Sequence, residues 1–403
     1  MKRWIVLVLT AALGLASAEG LGFSGSLRTG VGLVFSDLNW DQAGVTFSLK
    51  GSYSLDDAEM IAELKADPGG VRLGEAVARV FLDNADLEAG RIVVSTGRTD
   101  FFSPLDAFNP RDLSFPLAAA EDLKAPVLGL AASYYPDDNT VLTALFAPVF
   151  APSTPPAGRW ARPMIPPPGV VGVAVARPES RLENAVFGLR ATTSLDVLEG
   201  LDLGFTALYT FTPFPGPDRL VYLADQDTDA DPRNGPFRLV LAHEREAVVG
   251  GDFALVFSIP EVAEGVILRG EGAYVHLPTP EATDPLKDQK PKSYGEGVLE
   301  LEYTFPDGPT AILLYDLKGN ADGLSHRAGG ILRYDADERT RLEGAALYNF
   351  SDGSGLVRPG VRYTMADGVE AWAQLAYFFG SADSEFGAWA DNSQLRAGLD
   401  FSF

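Results

Sequence analysis

The sequence predicts an all-β fold, a single antiparallel sheet of about eighteen strands, and three observations predict it. Segments of about ten residues alternate apolar and polar side chains, which is the period of a strand with one apolar face. The connections between these segments alternate between short turns and longer loops. After residue 18, no run approaches the ~18 consecutive apolar residues that a membrane-spanning helix needs.

The alternation is clearest at the end of the chain, in 393–403. Every odd position from Leu395 to Phe403 is apolar, and the even positions between them are polar or glycine. Successive side chains of a strand point to opposite faces, so one face of this strand is apolar and the other polar. The same pattern predicts strands at 23–35, 41–54, 58–66, 71–82, 86–97, 127–135, 140–148, 183–195, 201–212, 237–258, 265–277, 293–305, 309–318, 326–335, 340–350, 356–365, 369–379 and 393–403.

The connections indicate that the sheet closes. Eight short turns lie on one side, nine longer connections lie on the other, and both termini fall on the short-turn side. A transmembrane β-barrel has short periplasmic turns and longer extracellular loops, and closure satisfies every backbone hydrogen bond in lipid. A water-soluble β-sandwich is the alternative, since its strands alternate too. The barrel is favoured by aromatic pairs at strand ends, typical of an interfacial girdle: Tyr209/Phe211, Tyr303/Phe305, Tyr348/Phe350 and Tyr377/Phe379.

The first eighteen residues have the pattern of a secretory signal peptide. Lys2 and Arg3 precede an apolar stretch at 5–16, and Ala-Ser-Ala at 16–18 provides small residues for cleavage. We therefore expect a cleaved signal peptide at 1–18 and a single barrel domain at 19–403.

Composition excludes several classes of function. The chain carries 55 acidic and 32 basic residues, a formal net charge of −23, which argues against a nucleic-acid partner. It has no cysteine, so disulfide scaffolds and cysteine-ligated metals are excluded. The three histidines, His243, His276 and His326, lie near loop ends on the apolar side of their strands, and no hydrolase motif accompanies them. We expect no enzymatic activity.

A signal peptide followed by a terminal strand that ends in Phe403 resembles Gram-negative outer-membrane proteins. The resemblance implies an outer-membrane location, with membrane lipid and lipopolysaccharide as surroundings. It also implies that the barrel-assembly machinery reads the terminal aromatic residue.

A more specific resemblance rests on residues 89–98, Ala-Gly-Arg-Ile-Val-Val-Ser-Thr-Gly-Arg, and residues 103–112, Ser-Pro-Leu-Asp-Ala-Phe-Asn-Pro-Arg-Asp. A Gly-Arg strand that leads into an Asp…Asn-Pro-x-Asp loop resembles the alginate-export-type and related porin-like barrels, which have eighteen strands. This implies a porin-like channel for passive diffusion of small hydrophilic solutes through a charged lumen. The alternative is a non-transport barrel, an adhesin or structural anchor that acts through its extracellular loops.

Strand parity predicts the charged residues that line the pore from 265 to the C-terminus. Acids dominate 271–316 and arginines dominate the next three strands, so we expect an acidic wall beside a basic one, with a transverse field that favours polar solutes. Alternatively, these charges form cross-strand salt bridges that brace the wall. The predicted lining residues are Arg269, Glu271, Glu296, Glu300, Glu302, Asp316, Lys318, Arg327, Arg333, Arg341, Glu343, Arg358, Arg362, Glu370, Arg396 and Asp400.

Two loops carry further candidates. The loop at 149–182 is rich in proline, which gives it a stiff shape, and it could fold inward and bring Arg159, Trp160 and Arg162 to a constriction. The alternative is an exposed surface loop.

The loop at 213–236 carries aspartates at every second position, a spacing that can offer oxygen ligands to Ca²⁺. They are a weak candidate for a Ca²⁺ site, and a solvated acidic rim is the favoured alternative; we expect no other cofactor. The aspartates are Asp225, Asp227, Asp229 and Asp231.

Overall fold

Eighteen antiparallel strands close into a barrel in the computed structural model. The structure describes residues 20–100, 102–118, 123–162, 166–196, 200–223, 235–259, 263–281, 283–306 and 308–403. The predicted signal peptide at 1–18 and the candidate Ca²⁺ ligands Asp225, Asp227, Asp229 and Asp231 lie outside these residues.

The strands follow one another around the barrel, and a separate three-stranded sheet interrupts the sequence order. That sheet consists of β8, β11 and β12, and all the others belong to the barrel. The strands are β1 (Leu21–Val34), β2 (Trp40–Leu55), β3 (Ala58–Asp67), β4 (Gly70–Leu82), β5 (Ala85–Ile92), β6 (Val127–Asp137), β7 (Thr140–Ala147), β8 (Val170–Ala176), β9 (Val186–Leu195), β10 (Leu201–Phe211), β11 (Gly216–Tyr222), β12 (Phe237–Ala242), β13 (Arg245–Ile259), β14 (Ala263–His276), β15 (Tyr294–Thr304), β16 (Thr310–Asn320), β17 (Gly323–Asp335), β18 (Thr340–Asn349), β19 (Ser354–Ala366), β20 (Val369–Phe379) and β21 (Gln394–Ser402).

The first and last strands close the barrel. β1 pairs antiparallel with β21, in register from Ser26 opposite Ser402 to Val34 opposite Gln394. Closure leaves the barrel sheet with no free edge, so its backbone groups are paired within the sheet.

The barrel reverses the usual distribution of apolar and charged residues. On β15, Leu299 and Leu301 are 50% and 38% exposed, while Glu300 between them is 1% exposed. A water-soluble protein buries its leucines and exposes its glutamates. The apolar face therefore points outward around the whole barrel, as lipid contact requires, and the charged face points inward. No helix in the described residues is both long and apolar enough to cross a membrane.

All eighteen predicted strands are present, but two boundaries are wrong. The predicted strand at 237–258 is two strands, because the residues before His243 lie outside the barrel sheet and the chain joins it only at Arg245. The His243 Nδ1 atom lies 2.7 Å from the carbonyl oxygen of Thr212, and the Glu244 amide donates to Thr212 Oγ1 at 3.1 Å. These bonds fix a bend that alternation cannot reveal, since both halves keep the same parity. β12 instead pairs parallel with β8 and antiparallel with β11.

The predicted strand at 86–97 ends at Ile92 instead. Beyond it the chain turns into the barrel, and the Val94 amide donates to the side-chain oxygen of Asn109 at 2.7 Å. β8 and β11 were not predicted, because each lies within a segment that the sequence marks only as a long loop.

The two ends of the barrel can be distinguished by labelling. Asp367 is exposed in the turn between β19 and β20, and Asp383 is exposed in the connection between β20 and β21, at the opposite end. We expect Asp383→Cys to react with a membrane-impermeant maleimide on intact cells. Asp367→Cys should react only after the outer membrane is permeabilised, because it should face the periplasm. The chain has no other cysteine to react, and the reverse pattern would show the opposite orientation.

Candidate functional site

Four carboxylates on the inner face of β13 to β16 are almost completely buried. Asp252, Glu271, Glu300 and Asp316 are each at most 5% exposed. A buried carboxylate is costly unless it is paired and hydrogen-bonded. Something inside the barrel must therefore cover this wall.

The cover is the connection between β5 and β6, of which we call residues 93–100 and 102–118 the inner segment. Its backbone amides donate to the wall: Arg98 and Thr99 to Glu271, the latter at 2.6 Å, and Asp100 to both oxygens of Glu300 at 3.0 Å. The hydroxyl groups of Thr99 and Ser103 also donate to Glu271, at 2.8 and 2.7 Å. The carboxylates thus hold a strand-free stretch of chain inside the barrel.

Two arginines complete this anchor around Asp252. The Arg98 guanidinium donates to Asp252 and to Asp202, the latter at 3.1 Å. Arg190 donates to Asp252 at 2.9 Å and to the carbonyl oxygen of Thr96. Charge-assisted bonds away from water are stronger than neutral ones, so both ends of residues 96–103 are fixed.

Gly97 lies where the inner segment comes closest to the wall. A β-carbon at Gly97 would collide with the Ser103 hydroxyl and lie 2.7 Å from a Glu271 oxygen. Any side chain there would displace the carboxylate that receives the anchoring bonds.

The Asp…Asn-Pro motif of Asp106, Asn109 and Pro110 closes the inner segment on itself. Asn109 is 5% exposed, accepts from the Val94 amide, and donates to the carbonyl oxygens of Ile92 and Ala125 at 3.0 and 3.1 Å. The Asp106 carboxylate lies 2.6 Å from Lys124 Nζ. The Asp…Asn-Pro pattern is therefore the sequence signal for an inward loop, in addition to the proline-rich loop at 149–182.

The proline-rich loop also enters the barrel at the long-loop end. Trp160 is fully buried, and its ring lies 5.6 Å from Phe378 on the inner face of β20 and 5.9 Å from Phe115 of the inner segment. Arg159 pairs with Asp37 at 2.8 Å, and the Arg162 guanidinium lies 4.7 Å from the Trp389 ring centroid. The arginines bind neighbouring loops, and Trp160 contacts the wall.

Most of the other predicted lining charges lie on the inner face in cross-strand ion pairs. Their partners lie one or two strands away or in the connection between β20 and β21, so the charges brace the wall. The pairs are Arg269–Glu302 at 2.7 Å, Lys318–Glu296 at 3.2 Å, Arg327 with Glu296 at 3.7 Å and Glu385 at 2.9 Å, Arg341–Asp335 at 2.7 Å, and Arg362 with Glu343, Glu370 and Asp400 at 3.0, 3.5 and 3.3 Å.

Asp316 and Arg333 complete the set. Arg327 Nε donates to Asp316 at 2.7 Å, and Arg333 is exposed opposite Glu343 in the register of β17 and β18. The acids of β14 to β16 are thus covered by the inner segment or by basic side chains.

Arg358 and Arg396 differ from these residues, since neither forms a salt bridge with any described residue. Arg396 donates to the carbonyl oxygen of Leu117 at 2.9 Å and stacks on the rings of Phe115 and Trp372, at 4.6 and 5.4 Å. The Nε atom of Arg358 is buried without a hydrogen-bond partner in the described part of the chain. The uncompensated charge on this side of the interior is positive.

The histidines lie apart from this site. The ring of His326 stacks on Phe350 at 5.3 Å, and that of His276 lies 6.5 Å from Tyr274. Burial holds the pKa of His243, in the bend between β12 and β13, below its usual value. Within the ranges that the structure describes, no three His, Asp or Glu side chains are close enough to hold a metal ion.

No family model matches the sequence, and no curated protein matches it. Solved structures do match across nearly the whole chain, and they are outer-membrane barrel proteins. OccD3 of Pseudomonas aeruginosa is 13% identical, with 96% of this chain and 92% of that chain covered and a TM-score of 0.54. OccAB1 of Acinetobacter baumannii is 9% identical, with 96% and 97% covered and a TM-score of 0.56.

A third similar structure is Wzi, described as an outer-membrane protein of Escherichia coli that takes part in group 1 capsule assembly and as a carbohydrate-binding β-barrel. It is 11% identical, with 98% of this chain and 88% of that chain covered and a TM-score of 0.51. These likenesses show the fold, a closed barrel of the outer-membrane type. The resemblance to alginate-export-type barrels stays a prediction.

The anchor at Glu271 can be tested by proteolysis. Glu271→Ala removes the acceptor for four hydrogen bonds from Arg98, Thr99 and Ser103, a loss on the order of 2–4 kcal/mol for the segment. We expect trypsin to cleave after Arg98 in this variant and not in the wild type. Glu343→Ala, on the inner face of β18 four strands away, is the matched control, and equal resistance of both variants would contradict the anchor.

Proposed function

We propose that this protein is an outer-membrane channel through which small hydrophilic solutes diffuse passively. The observation that carries the proposal is the inner segment itself: a loop fixed by buried carboxylates lies inside a closed barrel and narrows its lumen. Preorganised polar constrictions of this kind select solutes by size and charge.

The outer-membrane location rests on three features. The outward face is apolar, the fold is shared with outer-membrane barrels, and the sequence begins with the pattern of a signal peptide. Phe403 is 53% exposed and pairs with β1, its amide donating to the carbonyl oxygen of Gly25 at 3.1 Å. A β-carbon at Gly25 would collide with the Phe403 ring. The terminal aromatic ring thus lies on the lipid side, where lipid, lipopolysaccharide and the barrel-assembly machinery would meet it.

The selectivity of the channel follows from the charges that remain unpaired. The acids of β14 to β16 are neutralised by donors, whereas Arg358 and Arg396 form no salt bridge with a described residue. A guanidinium beside water attracts anionic and zwitterionic polar solutes and repels cations. Passage is then a matter of size and charge, with no covalent step, and the role is not enzymatic.

A second candidate is a non-transport barrel, an adhesin or anchor that binds carbohydrate through its loops. It is favoured by the sheet of β8, β11 and β12, which is built outside the barrel, and by the likeness to Wzi, a barrel described as carbohydrate-binding. The two candidates differ in conduction, since an anchor needs no ion path.

The arginines of β19 provide the test in a planar bilayer. Arg358→Glu with Arg362→Glu reverses two charges on the inner face, so we expect the reversal potential under a salt gradient to shift toward cation selectivity, with the barrel folded. Arg181→Glu is the control, because Arg181 is exposed in a loop outside the lumen, with 64% of its side chain accessible.

An unchanged reversal potential in the double variant would show that these arginines do not line the conducting path. Purified wild-type protein that inserts without conducting ions would favour the second candidate.

A further inference from the structure

A second cavity lies between the inner segment and the wall, away from Arg358 and Arg396. Its volume is about 230 Å³. It is enclosed by residues 102–113 of the inner segment and by the ends of β10, β13, β14 and β15 that lie toward the long loops. Phe214, which is 37% exposed, forms part of its lining. The cavity is therefore reachable from the long-loop end of the barrel.

Six aromatic rings line this cavity together with a small number of charged groups, and Phe211 and Phe214 at the end of β10 and just beyond it are two of the six. An apolar, ring-lined pocket with a few convergent polar groups is the usual form of a site for a small organic molecule. The other four rings are those of Phe102, Phe108, Phe150 and Tyr294.

One of the three carboxylates that line the cavity has no ion-pair partner among the described residues. The three lining carboxylates are Asp106, Glu246 and Glu296, and the one cation among the described lining residues is Arg111. Asp106 lies 2.6 Å from Lys124 Nζ and 3.7 Å from the Arg111 guanidinium. Glu296 lies 3.2 Å from Lys318 Nζ. Glu246 forms neither a hydrogen bond nor a salt bridge with any described side chain.

Glu246 is nevertheless 94% buried, with a relative exposure of 6%. It lies on the inner face of β13, opposite Thr210 in the register with β10, and it borders the cavity. Burying a carboxylate without a partner is costly, and proteins that do so usually supply a cation or a donor from elsewhere. The free space next to Glu246 is the place from which such a partner can come.

Tyr294, at the edge of the cavity, already binds an ammonium group on its ring face. The ammonium group of Lys318 lies 3.7 Å from the centroid of its ring. Aromatic faces attract ammonium groups through the ring quadrupole, and the attraction increases when water is excluded. Lys318 is thus held over the Tyr294 ring and paired with Glu296. Glu246, beside the other rings of the cavity, has no such partner among the described side chains.

We propose that this cavity is a binding site for a small organic cation, an ammonium group carried on an apolar or aromatic body. Glu246 pairs with the ammonium group, and the phenylalanine rings contact the apolar body. The site binds a ligand of opposite charge to the one that the arginines of β19 and β21 attract. It lies on the other side of the inner segment from them, and it does not depend on conduction.

Equilibrium binding tests the proposal on the purified full-length barrel in detergent. Isothermal titration calorimetry is carried out with benzylammonium, with benzyl alcohol as the neutral analogue and with benzoate as the anionic one. The variant is Glu246→Gln, which keeps the shape of the side chain and removes its charge. Glu343→Gln is the matched control, because Glu343 is an inner-face carboxylate of β18, outside the cavity, and pairs with Arg362. Heat-modifiable migration in gels verifies that each barrel is folded.

We expect saturable binding of benzylammonium to the wild type and to Glu343→Gln, and binding about tenfold weaker to Glu246→Gln. Benzyl alcohol and benzoate should bind the wild type at least about tenfold more weakly than benzylammonium. If Glu246→Gln does not fold, the affinities of the three probes for the wild type decide whether the cavity prefers a cation. Equal binding of benzyl alcohol and benzylammonium, wild-type affinity in Glu246→Gln, or no binding of benzylammonium would each overturn the proposal.

Discussion

The interior of this barrel is organised by the bonds between wall carboxylates and backbone amides of the inner segment. Glu271 alone accepts from two amides and two hydroxyl groups, and Glu300 accepts from a third amide. Without these acceptors the amides of residues 98–100 would lie inside the barrel with no secondary structure to satisfy them. Without the segment, the carboxylates would lie side by side on one wall of the barrel without these donors. The wall carboxylates and the amides of the inner segment therefore satisfy each other. The position of the segment decides which charges inside the barrel remain unpaired.

The proline-rich loop extends this organisation to the long-loop end. Its backbone pairs with the inner segment, the Thr154 amide donating to Arg111 at 2.9 Å and the Leu113 amide donating to Thr154 at 2.9 Å. Trp160 then fixes the loop to the inner face of β20 through Phe378. The two inward loops form one connected structure between opposite walls, so a change in one of them should alter the position of the other.

The sequence was sufficient for the barrel and insufficient for its interior, for a physical reason. Alternation is a local property that lipid contact imposes on a strand, and it located all eighteen barrel strands. The path of a long connection depends on residues far away in the chain, such as Glu271 for Arg98, 173 positions apart. Parity placed Glu271, Glu300 and Asp316 on the inner face, but nothing local showed that the chain would cover them. Parity also missed the bend at His243, because the apolar phase is the same on both sides of it.

Hydrogen exchange of the amides in residues 96–100, followed by mass spectrometry on the detergent-solubilised barrel, measures the central interaction directly. These amides belong to no strand, and their protection comes from Asp106, Glu271 and Glu300. We expect Arg98, Thr99 and Asp100 to exchange at least about tenfold more slowly than the exposed turn at 56–57. Exchange as fast as that turn would show that the inner segment is not held by the wall, and it would contradict the interior described above.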